Sequence, residues 1–64
     1  MITFSEVRAA AVAVNCGSTY TKEHPRSGVA QRRLVANWLR WAEGRANPDW
    51  NGATAVMRGF LEGR

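Results

Sequence analysis

Between Arg32 and Arg45 the chain reads Arg-Arg-Leu-Val-Ala-Asn-Trp-Leu-Arg-Trp-Ala-Glu-Gly-Arg, with two tryptophans three residues apart among four arginines and a single acid. At 3.6 residues per turn, Leu34, Val35, Trp38, Leu39, Trp41 and Ala42 fall within an arc of about 160°. Arg33, Asn37, Arg40 and Glu43 lie opposite, with Arg32 at the border. Such a segment has one stable use. It is a helix that buries its aromatic side and leaves its arginines in water, so the rest of the chain must supply apolar faces to cover it.

Two further segments do so. Phe4, Val7, Ala10, Ala11 and Val14 share one side of a helix expected over about 5–15, with Val12 outside that face. Thr3 followed by Glu6 reads as a capping box at its start, and Gly17 as its stop. The arginine-bearing helix is expected over 28–43, with Ser27 as its cap and Gly44 as its stop. A third helix, over 48–62, opens on Asn47-Pro48-Asp49: a capping amide, a proline at the first helical position and an acid beside it. Trp50, Ala53, Thr54, Met57, Phe60 and Leu61 then recur at helical spacing. On its back Gly52, Ala55 and Gly59 form a small-residue stripe, which fits either a solvated face or the close approach of another backbone. Residues 16–27 carry no periodicity, and Pro25 disfavours helix at His24, so an irregular loop of about twelve residues is expected. Tyr20 is its one large apolar group and is expected to pin it to the body. The fold class is therefore all-α, a single three-helix domain over 1–64. Its expected core is Val7, Val14, Leu34, Val35, Trp38, Leu39, Trp50, Met57 and Phe60.

At 64 residues a domain buries only about 60 % of its unfolded surface and needs reinforcement. A single cysteine rules out an internal disulfide, and Cys16 with His24 cannot make a four-ligand zinc site. Well-packed helices and self-association remain, so a homodimer is expected. The apolar fraction of 45 % argues against disorder. No apolar run approaches the roughly 18 residues of a membrane span. A basic start followed by a long apolar stretch is missing, so no secretory leader is expected. A lone thiol fits the cytoplasm.

Catalysis is not expected, nor is a cofactor or metal. His24 is the sole imidazole, eight residues from Cys16 with no third group to orient the pair. Glu6 and Asp49 serve helix starts, and the glycines form no phosphate-cradling cluster. What remains is charge. The chain carries +4, all of it contributed by residues 21–45, where six cations face two acids. Arg33, Asn37 and Arg40, the edge at Trp41, and Arg26 and Lys22 in the loop are the candidate partner-binding residues. The arginines also fit a plain solvated face, and Trp38, at the centre of the arc, fits the core.

The composition points to a non-enzymatic interaction protein, of the accessory type found in phages and mobile elements, that modulates or inhibits a larger protein through an acidic patch on it. The alternative is a basic nucleic-acid binder or small transcriptional regulator using the same arginine face. A helix-turn-helix version of that alternative would read bases with helix three, whose outward side offers little beyond Asn51 and Arg58.

Overall fold

The computed structural model describes residues 1–15, 25–45 and 47–64. Among the described residues there are three α-helices, α1 (Phe4–Ala13), α2 (Gly28–Arg45) and α3 (Asn51–Glu62), the last preceded by a single 3-10 turn, Pro48–Trp50. No strand occurs among the described residues. The fold is all-α, as the periodicities require. Cys16, Gly17, Tyr20, Lys22 and His24 lie outside the described residues, as does the expected loop up to residue 24; its last residues, 25–27, are not helical.

Side chains cap the starts of α1, α2 and the 3-10 turn, whereas α3 itself starts after Trp50 with no side-chain cap. Thr3 Oγ1 accepts from the Glu6 amide at 3.2 Å, and Ser27 Oγ from the Ala30 amide at 3.0 Å. Asn47 Oδ1 accepts from Asp49 N at 3.0 Å. These hydroxyl and amide oxygens satisfy amides that have no partner within their own helix. Gln31 adds a tether, donating from Nε2 to the Pro25 carbonyl at 3.0 Å and fixing the chain as it enters α2.

The helix ends differ from expectation. α1 stops at Ala13, and Asn15, at φ 58°, takes the left-handed position assigned to Gly17. Asparagine tolerates that conformation better than other non-glycine residues. Gly44 does not stop α2, which runs on to Arg45. Arg45 is held one turn back, its guanidinium 3.9 Å above the Trp41 ring and its Nη1 on the Trp41 carbonyl. The 3-10 turn at Pro48 means that the third α-helix itself begins only at Asn51.

At the C-terminus of α3, Gly63 adopts φ 81°. Its amide donates to Phe60 O, and the Arg64 amide donates to Gly59 O. This pair of reversed bonds is a Schellman end. Arg32, placed at the border of the α2 arc by the sequence, reaches across and donates to the carbonyls of Phe60 and Leu61. Ile2 N donates to Arg64 O, drawing the start of the chain onto the same end. The last carbonyls of α3 are thus met by backbone and guanidinium donors, and a cation sits where the helix dipole favours one.

α3 packs along both α1 and α2, which meet each other only briefly. The core between them holds Val7, Ala11, Val14, Leu34, Val35, Trp38, Ala42 and Met57. Trp38 stacks on Phe4 at a centroid distance of 6.0 Å, and Phe4 meets Phe60 at 6.2 Å. Leu39, Trp50 and Phe60, expected inside, are only half-buried against this cluster: Leu39 and Phe60 stand at the edges of their helical arcs, and Trp50 belongs to the 3-10 turn ahead of α3. Ala11 and Ala42, not in the expected core, are buried. Buried Thr54 satisfies its hydroxyl on the Asn51 carbonyl at 3.1 Å.

The small-residue stripe on α3 divides. Gly52 and Ala55 are exposed, and nothing lies near the position of a Gly52 side chain. Gly59 is buried, and a Cβ there would stand 2.5 Å from Ile2 Cδ1. The close neighbour is a side chain from the start of the chain.

Candidate partner-binding surface

The core fixes which way the remaining side chains of α2 point. With Leu34, Val35, Trp38 and Ala42 buried, Arg33, Asn37 and Arg40 are all exposed on the far side. Asn37 Oδ1 accepts a long hydrogen bond from Arg40 Nη1 at 3.5 Å, which leans the guanidinium along the helix. Arg26 is exposed just ahead of the helix. Lys22 belongs to the residues not described; of the other five singled out from the sequence, Arg33, Asn37, Arg40 and Trp41 stand on α2 and Arg26 precedes it.

Extension of α2 through Gly44 changes the surface. Arg33, Asn37, Trp41 and Arg45 are spaced four residues apart and form one continuous ridge, about 18 Å long at 1.5 Å per residue. Arg40 flanks it. Trp41, whose edge is expected to be exposed, is half-buried. Its ring stacks on Trp50 with centroids 5.4 Å apart and planes at 23°, and the Arg45 guanidinium lies over the same ring.

Arg45 and Trp50 were therefore missing from the candidate surface for a physical reason. With Gly44 read as a stop, Arg45 lies off the helix, and i,i+4 neighbours can meet only on a continuous one. Trp50 arrives from the 3-10 turn, and no periodicity within either segment relates it to Trp41.

On another flank of α2, a groove of about 420 Å³ is lined by Ala42, Glu43, Asn47, Pro48, Asn51, Thr54 and Arg58. It carries one acid and one cation. No group of three metal-ligating side chains occurs among the described residues, and no helix formed by them is long and apolar enough to cross a membrane. The outward side of α3 presents Asn51, Gly52, Ala55, Arg58 and Glu62, with its two charges opposed. That is a poor reader of a DNA groove.

Against known protein families, curated proteins and solved structures, the chain gives no significant match.

Proposed function

We propose that this is a non-enzymatic, cytoplasmic interaction protein that docks its α2 ridge onto an acidic patch of a larger protein and modulates or inhibits it. One observation carries the reading. An 18-residue helix has its apolar side consumed by the core, while Arg33, Asn37 and Arg40 stay exposed on the other side and Arg45 is exposed at its C-terminal end. Cations held on a fixed scaffold steer an acidic partner, and the half-buried aromatics beside them add contact area once water is excluded. The Trp41 ring is already engaged by Trp50 and Arg45, which leaves less of it to stack on a base, so a protein is favoured over nucleic acid.

The test is capture from nuclease-treated lysate with the wild-type chain and with Arg33→Glu combined with Arg40→Glu. A discrete protein retained by the first and lost from the second supports the reading. Capture that vanishes on nuclease treatment, together with a steep salt slope on oligonucleotides, sinks it in favour of nucleic acid. Self-association belongs to the same reading, because a core this small gains from pairing with a second copy. Light scattering at about tens of micromolar is expected to return twice the 7.1 kDa chain mass. A monomer there removes the dimer without touching the docking face.

A further inference from the structure

Arg45 differs from every other cation on the docking ridge in how it is held. Arg33 and Arg40 are exposed and lie on no ring, Arg40 making only a long hydrogen bond to Asn37, whereas the Arg45 guanidinium lies 3.9 Å from the centroid of Trp41. One of its Nη1 hydrogens is committed to the Trp41 carbonyl at 3.4 Å. A guanidinium laid on an indole keeps its N–H donors in its own plane, pointing outward from the edge of the stack. It loses little rotamer freedom when it meets a planar acceptor, because the aromatic surface has already ordered it. No carboxylate of the described residues pairs with it; the ion pair formed among them joins Arg64 to Glu62. Beside it, half-buried Trp41 and Trp50 offer an apolar floor.

We infer that Arg45, braced by Trp41 and Trp50, is the carboxylate-binding anchor of this surface, receiving an aspartate or glutamate side chain of an acidic protein segment while the two indoles cover the apolar stem of that side chain. This rests on the docking reading above and names the group at its centre. Charge complementarity selects the occupant: the row Arg33–Asn37–Trp41–Arg45 winds along α2 with a cation at each end, and an acidic polypeptide that follows the row meets both. Bidentate pairing with a carboxylate is the geometry that a planar, pre-ordered guanidinium meets best.

Poly-L-glutamate at low salt is the probe, and tryptophan fluorescence is the readout. Trp38 is buried, so a change in emission reports on Trp41 and Trp50. Wild type is expected to show a saturable change, and Arg45→Gln to weaken binding at least about fivefold, roughly the loss of one charged hydrogen-bonded contact. Arg45→Lys, which keeps the charge but not the planar fork, is expected to fall between them. Arg45 is exposed and ends its helix, and circular dichroism checks that the variants keep their helix content. Unchanged binding in Arg45→Gln overturns the inference. So does a lysine variant equal to wild type, or tighter binding of oligothymidylate of matched charge. If Arg45→Gln binds normally while Arg33→Glu with Arg40→Glu still releases a captured protein, the anchor fails and the docking face stands. If the anchor holds and no protein is captured, the failure belongs to the docking reading.

Discussion

Two glycines seven residues apart in α3 respond differently to one added methyl group. At Gly52 the space is open, and alanine removes backbone entropy from the unfolded chain at no steric cost. Gly52→Ala is expected to raise stability by about 0.5–1 kcal/mol in urea denaturation. At Gly59 the same gain is opposed by Ile2, whose Cδ1 would stand 2.5 Å from the new carbon and must swing away from the notch. Gly59→Ala is therefore expected to stabilise less than Gly52→Ala or to destabilise. In an Ile2→Ala background the two substitutions should converge, and equal effects of both in the wild-type background would show that Ile2 does not fill the notch. From the sequence these glycines belong to one stripe. The residue that separates them lies at the opposite end of the chain, where no local periodicity reaches it.

Helix starts were legible in the sequence, and helix ends much less so. Thr3, Ser27 and Asn47 each cap through an atom within three residues of the amide they serve, so the signal is local. The ends are decided by competition. Gly44 could have stopped α2, but the Arg45–Trp41 contact one turn back favours continuation. Asn15 takes the left-handed position two residues before Gly17. The same asymmetry governed the candidate surface: Arg33, Asn37 and Arg40 follow from helical phase alone, whereas Arg45 required knowing where the helix ends. Trp50 required a tertiary contact. Among these devices, Arg32 on the terminal carbonyls of α3 is the one with no local signal at all. Arg32→Met keeps most of the side-chain stem and removes the donors, and it is expected to cost about 0.3–1 kcal/mol at low salt, shrinking as salt is added. Asn47→Ala, which removes a neutral cap, should cost about 1 kcal/mol irrespective of salt. Thermal melts of both variants at two ionic strengths check the contrast. A salt-independent loss in Arg32→Met would mean that the guanidinium acts through packing.

At the scale of the molecule, the docking reading gives α2 two purposes on opposite sides, and the division is open to test. Its inner side contributes Trp38, nearly fully buried and stacked on Phe4, to a core of seven clustered buried residues. Removing such a ring costs about 3–5 kcal/mol. A single small core at this chain length rarely supplies more than about 3–5 kcal/mol in all. Trp38→Ala is thus expected to leave the chain unfolded at room temperature, with its helical circular dichroism lost. The outer side contributes nothing comparable. Arg33 and Arg40 are exposed, and the long Arg40–Asn37 hydrogen bond sits in water, so Arg33→Glu with Arg40→Glu should change stability by no more than about 0.5 kcal/mol per site. That double variant should melt with wild type and still fail to hold its partner. In the opposite direction, an acidic partner that binds only the folded chain raises its stability by about 2.7 kcal/mol at a hundredfold excess over Kd. That shift should disappear in the double variant and fade with salt in wild type. If the double variant unfolded, the two sides of α2 would not be separable, and loss of binding could no longer be assigned to the arginines.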